Sequence, residues 1–461
     1  MHHFGKAIVA TPGDFGKLGT PPSHPQLLDW LGYELIEHGW SLKHLHRTIM
    51  LSTAYRQASV RDPGKDSIDS DNRYYWRRDL QRLDAESLRD SILAISGQLK
   101  TDLYGVPIPL QEDDAGQVRI DPSVPRRSLY AKWRRTQPVA MLQAFDAPVM
   151  GVNCDVRQAS TVATQSLMLL NNEFLLDQSD KLAKRIAESG ATNTQRVDTG
   201  SADPQRNWKL PAQPPKRWQM GTGKLNKETG RLESFVEFDH FNEGRSLPGM
   251  QIPDPTTGFV FLTASGGHPG NVNYPAIRRW IAPASGGVEI TGTLSHGSEN
   301  GDGVIGRISS KHGLAGSWVI KAGSGATNVQ SIAVETADTI DFVIECGEHE
   351  TSDSFTWTTK LQFNPTDKAT SPVVFDSAIG FQLQQEDYST LGRQITEAWA
   401  MILNRYPNDQ ELDAVGRFVA SQLELLYRQP ERLSGGNSAT RQILVNVCQM
   451  LLNSNEFLYI D

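Results

Sequence analysis

Residues 234–365 hold 18 of the chain's 39 glycines and alternate apolar with polar side chains at period two. On both sides of this stretch the apolar residues recur instead every three or four positions. One element cannot carry both patterns, because a strand turns successive side chains to opposite faces and a helix returns every 3.6 residues. Val288-Glu289-Ile290-Thr291-Gly292-Thr293-Leu294 alternates cleanly, as do Ser317-Trp318-Val319-Ile320-Lys321 and Asp338-Thr339-Ile340-Asp341-Phe342-Val343-Ile344. Glycine at this density suits many tight turns. Short strands joined by Gly, Asn and Asp turns predict an antiparallel sandwich or jelly roll.

The flanks predict helices. Ser23-His24-Pro25-Gln26 has capping-box spacing with proline just inside the start, and Leu27, Leu28, Leu31, Leu35 and Ile36 follow at helical spacing up to Gly39. Ser41 and Asp84 are expected caps of the next two, and one helix is expected from about Thr161 through Lys184, with Leu167, Leu170, Phe174 and Leu182 as core contacts. Asn408 with Glu411 is a second capping-box spacing, and a last helix runs from about Ser438 to Asn453. Residues 191–233 contain Pro204, Pro211, Pro214 and Pro215 without an apolar period, which predicts a linker. The expected fold class is multidomain α + β: an all-α domain (1–190 and 387–461) split by a β-sandwich at 234–365, with linkers at 191–233 and 366–386. Leu169-Leu170-Asn171-Asn172-Glu173-Phe174-Leu175 is echoed by Leu451-Leu452-Asn453-Ser454-Asn455-Glu456-Phe457-Leu458, either as two helix ends that pack together or by coincidence.

Composition narrows the function classes. With 38% hydrophobic residues in 461 the chain can bury real cores, and its net charge of −8 argues against a nucleic-acid partner, which a basic face would mark. No stretch approaches a transmembrane segment of about 20 apolar residues. Cys154, Cys346 and Cys448 form no CxxC or CxxCH pair, so no zinc ribbon or haem attachment is expected here.

Several ordered blocks resemble a known family. His2-His3-Phe4-Gly5-Lys6, Asp14-Phe15-Gly16, Pro21-Pro22-Ser23-His24-Pro25, Trp40-Ser41-Leu42-Lys43, Arg126-Arg127-Ser128-Leu129-Tyr130, Phe145-Asp146-Ala147-Pro148, Arg157-Gln158-Ala159-Ser160-Thr161 and Leu452-Asn453-Ser454-Asn455-Glu456-Phe457 resemble planctomycete domain of unknown function fifteen fifty-three. That domain is the C-terminal part of proteins carrying a PSD domain and a planctomycete cytochrome c domain. The resemblance implies a periplasmic or cell-envelope location, although this chain shows no signal peptide. It also implies that haem belongs to an upstream domain, with no cofactor in this chain, and that the N-terminal domains of the same polypeptide are partners. Family members have an Asn-Arg-Val-Trp-like helix before the His-His-Phe-Gly block, so the chain is expected to be a fragment of a longer protein. The central block, with Gly301-Asp302-Gly303-Val304 and Gly316-Ser317-Trp318, is similar to carbohydrate-binding jelly rolls.

Each candidate for chemistry has a plain structural alternative. His24 is either a general base, with Asp14 or Asp29 as partner, or a residue of a helix entry. His2 and His3, being adjacent, point apart and make a poor shared metal site, and no metal ligand set is assigned. Glu345, Glu348, His349, Glu350 and Asp353 form the densest acidic run, which reads as a solvated turn, a calcium loop or a pair of catalytic carboxyls. His296 to Gly303 lacks the spacing of a calcium loop. Trp280, Trp318 and Trp357 lie in expected strands, where they either stack on sugar rings or fill the core. Arg278 and Arg279 precede Trp280 and suit sulfate or uronate groups. There is no GxSxG elbow, P-loop, GxGxxG or HExxH. The composite expectation is a non-catalytic envelope scaffold with a polysaccharide-binding sandwich; the alternative is a periplasmic enzyme acting on polysaccharides.

Overall fold

The computed structural model describes residues 2–14, 16–114, 116–148, 157, 159–192, 208, 217–367, 371–384, 388–429, 433 and 438–460. Two compact units share the chain: Met1–Arg206, Gln394–Pro407 and Leu444–Asp461 form one, and Asn207–Arg393 with Asn408–Ile443 form the other.

The first unit is helical, as expected. Helix α1 (Pro25–Glu37) begins at the proline, but its N-cap is His24, whose side chain caps nothing, rather than Ser23. Helix α2 (Leu42–Leu51) starts where Ser41 Oγ accepts from the His44 N–H, and the helix Ala85–Ile95 starts where Asp84 accepts from the Ser87 N–H. Neither α1 nor α2 buries a residue, so the leucine stripe of α1 stays half-covered or exposed. The single helix expected over 161–184 is two, Ala163–Asn171 and Glu173–Thr192, because Asn172 breaks the run and accepts the Phe174 N–H. Leu182 is core, whereas Leu167 and Leu170 are exposed.

The two echoed segments do meet. Gln449 donates to the Leu170 carbonyl at 2.7 Å and the Thr161 hydroxyl lies 2.7 Å from that of Tyr459. Each segment is a helix, a polar break and a new helix start, with Ser454 capping the second copy as Asn172 does the first.

The second unit is an antiparallel sandwich. Its six-stranded sheet runs in the order Gly313–Ile320, Val304–Ser310, Thr339–Cys346, Ala276–Ile281, Trp218–Leu225, Leu232–Glu237. The larger sheet is built on the pair Gly286–His296 and Phe355–Pro365, and continues through Gly266–His268, Phe261–Leu262, Arg245–Leu247 and His240–Asn242. Between the sheets lies an apolar core that includes Trp218, Trp280, Phe342, Trp357, Phe363 and Phe375.

The sandwich is larger than residues 234–365. It opens at Trp218, inside the expected linker 191–233; residues 193–207 and 209–216 of that linker lie outside the described residues. The second expected linker, 366–386, contains the strand Val373–Asp376, paired with Phe355–Pro365, and the helix Ser377–Gln384. The helix Asp409–Arg428, opened by the Asn408–Glu411 capping box, packs on these two elements and belongs to the sandwich unit rather than the helical one.

Candidate functional site

The strand Ala276–Ile281 decides the fate of most sequence candidates. Its alternation turns Ala276, Arg278 and Trp280 toward the sandwich interior. Trp280 is 0% exposed, with its ring 5.4 Å from Phe375 and 6.0 Å from Phe363. Trp357 is also buried, its indole N–H donating to Thr327 Oγ1 at 2.8 Å. Trp318 is half-covered at the core edge, its ring folded over Gly316. The stacking role is therefore corrected for Trp280 and Trp357: both are core.

Arg278 is corrected as well. Its guanidinium is buried and donates to the carbonyls of Trp357, Thr263 and Gly266 at 2.8, 3.0 and 2.9 Å, joining the two sheets. Burial lowers its pKa to about 10. Arg279 points the other way and is bidentate to Asp341 at 2.7 and 3.2 Å, with its guanidinium 4.1 Å over the Phe235 ring. Burial raises the Asp341 pKa despite this partner. Neither arginine is free to meet an acidic sugar.

A different surface carries exposed aromatic area. On the larger sheet Phe261 alternates with buried Val260 and Leu262, so its ring stands on the outer face, where it stacks on His268. Exposed Arg245 lies over the same ring at 5.0 Å, and Phe259, 44% exposed, sits 6.0 Å from His268. Burial pushes the His268 pKa down, which favours the uncharged ring. The outer face continues as a hydroxyl ladder in which Thr356 pairs with Ser295 and Thr358 with Thr293. Phenylalanine, arginine and hydroxyl groups along one sheet face offer a stacking surface beside hydrogen-bonding groups.

The acidic run borders this face and is less solvated than its composition suggests. Glu348 and His349 are exposed and donate backbone N–H groups to Asp302, while Glu345 pairs with Arg307 at 2.6 Å. Glu350 packs its carboxylate against Gly258, where a Cβ would sit 2.5 Å from Oε2, and that oxygen has no hydrogen-bond partner. Asp353 is 0% exposed, and neither of its carboxylate oxygens has a hydrogen-bond donor. His296 Nε2 stands 3.7 Å away, its ring nitrogens facing the carbonyls of Lys321 and Ser352. Burial, with Asp302 and Glu350 nearby, pushes the Asp353 pKa to about 6.

The helical unit holds two histidine groups. His24 bonds Ser23 Oγ at 3.0 Å and lies against the Tyr75 ring, without Asp14 or Asp29. His3 and His46 meet at 2.9 Å, and burial holds His3 below its usual range. Glu34, His38 and His44 bring ligand atoms within 4.8 Å of one another, the one such cluster among the described residues. Sequence reasoning missed this cluster, although Glu34 and His38 have the i, i+4 spacing of one helix face and His44 follows in the first turn of the next helix. A cavity of about 720 Å³ between Val118–Ile120 and the start of Glu173–Thr192 has its cations engaged: Arg89 donates to Arg126 O and Ser128 Oγ, Arg119 pairs with Glu173, and Lys181 pairs with Asp177. Cys346 and Cys448 are buried free thiols, with burial pushing Cys346 up to about 11, and Cys154 lies outside the described residues.

Residues 1–203 match the family described as PSD1, protein of unknown function (DUF1553). The resemblance carried by the His-His-Phe-Gly and Pro-Pro-Ser-His-Pro blocks thus holds over this stretch, and the Glu34, His38 and His44 cluster lies within the PSD1 match. No curated protein matches the chain in sequence. Solved structures similar to it include a PA14 sugar-binding domain from an RTX adhesin, with 8% identity over 22% of this chain and 52% of that one, TM-score 0.15. Another holds the CBM51-2 and INT domains of Clostridium perfringens ZmpB, with 12% identity over 50% of this chain and 39% of that one, TM-score 0.18. The chain thus spans about half or less of these structures, and TM-scores this low give the likeness no weight.

Proposed function

We propose that the protein is a non-catalytic scaffold of the cell envelope whose sandwich binds saccharide on the outer face of its larger sheet. The observation that carries this reading is the exposed Phe259 beside Phe261, Arg245 and the Thr/Ser ladder. An aromatic face takes the apolar side of a pyranose ring, hydroxyl rows exchange hydrogen bonds with its rim, and Arg245 suits sulfate or carboxylate substituents. The envelope location, and haem domains elsewhere in the same polypeptide, rest on the family resemblance alone.

Titration calorimetry of the full chain with sulfated and uronate oligosaccharides tests the reading. Saturable binding is expected in the wild type, and Phe259→Ala should weaken it about tenfold with the melting temperature unchanged, since losing about 1.4 kcal/mol of contact is a tenfold effect. Absence of binding across such a panel removes saccharide recognition. Turnover of the same oligosaccharides replaces the scaffold reading with the enzymatic one.

A further inference from the structure

The turn between α1 and α2 assembles a donor set that the saccharide reading does not use. Glu34 and His38 share a face at the end of α1. Gly39 and Trp40 then both take left-handed backbone, at φ 64° and 62°, which reverses the chain within two residues. A tryptophan in that region is strained, and the reversal is held by the Gly39 and Trp40 N–H groups, which donate to the Ile36 and Leu35 carbonyls at 3.0 and 2.8 Å. Ser41 caps α2 through the His44 N–H and sets His44 in the first turn, facing back toward α1. The His38 and His44 rings stack 3.7 Å apart at 10°, and Glu34 Oε1 lies 2.8 Å from His44 Nε2 and 3.4 Å from His38 Nδ1.

We propose that Glu34, His38 and His44 form a binding site for a divalent transition-metal ion of the zinc class, with its remaining coordination position open to water. Two imidazoles and one carboxylate are a borderline donor set that suits Zn²⁺, Cu²⁺ or Ni²⁺ and disfavours Ca²⁺ and Mg²⁺, which prefer oxygen alone. Ligands about 2.0–2.2 Å from one ion stand roughly 3–3.6 Å apart, and the separations from Glu34 Oε1 already fall near that span. The ion replaces the hydrogen bond that Glu34 now shares with His44. Parallel rings cannot aim their lone pairs at one point, so the His38 ring must turn as the ion enters, and its exposed position leaves it room. The same His38 Nδ1 lies 3.0 Å from the Glu34 carbonyl, a contact the ring gives up as it turns so that Nδ1 can take the ion.

Titration of the untagged full chain with Zn²⁺, and with Co²⁺ followed by its visible spectrum, decides the matter. One equivalent is expected to bind, and His44→Ala and Glu34→Gln should each weaken binding at least about tenfold, the minimum loss known even for outer-shell partners. Both side chains are partly exposed, so unchanged circular dichroism should accompany the loss. His3→Ala is the control, since His3 and His46 form a separate pair without a carboxylate. No saturable binding by the wild type, wild-type affinity in both cluster variants, or a loss seen in His3→Ala instead, overturns the site.

Discussion

Truncating Trp280 to alanine separates a core residue from a binding platform. The indole is 0% exposed and packs between Phe375 and Phe363. Removing a buried aromatic ring costs about 3–5 kcal/mol, because the lost transfer energy is joined by a cavity the two phenylalanines fill only in part. A unit of this size shifts by about 2–4 °C per kcal/mol, so melting should fall by roughly 6–20 °C. Trp280 Nε1 is also buried without an acceptor. Trp280→Phe removes that orphan donor, worth about 1–3 kcal/mol, while keeping most of the apolar ring. The phenylalanine variant should therefore lose far less than the alanine variant. Scanning calorimetry of the full chain, following the transition of the sandwich unit, reads both. An alanine variant that melts within about a degree of wild type would refute the packing argument.

Arg278→Met should cost about 3 kcal/mol or more, since three carbonyls lose their donor inside the sandwich, and urea unfolding measures it. Asp353 gives a pH signature: its folded carboxyl titrates near 6 against an ordinary 3.8, so the folded state holds the proton more tightly. The contribution of Asp353 to stability is therefore present below about pH 4 and is lost as pH rises through about 6, so the melting difference between wild type and Asp353→Asn should change across that window; a difference that does not vary with pH sinks the claim. Deleting 234–365 and joining the ends should not leave a soluble helical protein. The cut strips Trp218–Leu225 of both strand neighbours and Val373–Asp376 of its partner, so size-exclusion chromatography should show aggregate.

Local chemistry was legible in the sequence, and the long-range consequences were not. Ser41, Asp84 and the Asn408–Glu411 pair cap the helices they precede because a cap is settled within four residues. The start of the sandwich at Trp218 escaped because Trp218-Gln219-Met220-Gly221-Thr222-Gly223 looks like loop. Its glycines are there because a Cβ at 221 or 223 would meet the Val236 or Ser234 carbonyl of the next strand at 2.3 or 2.0 Å. The same limit explains the misplaced site. Period two says that Arg278 and Arg279 face opposite ways, but not which one faces in. A charged residue on the inner face looks forbidden from sequence, since a lone buried guanidinium is costly. Arg278 is tolerated there because the carbonyls that receive it come from Gly266 and Trp357, on strands of the other sheet, and from Thr263 in the turn that joins two of its strands. Once Arg278 is inward, Trp280 must be inward too, and exposed aromatic area has to be sought on the other sheet, where Phe259 and Phe261 stand. One inner arginine thus fixes which side chains of its strand face the core and which face out.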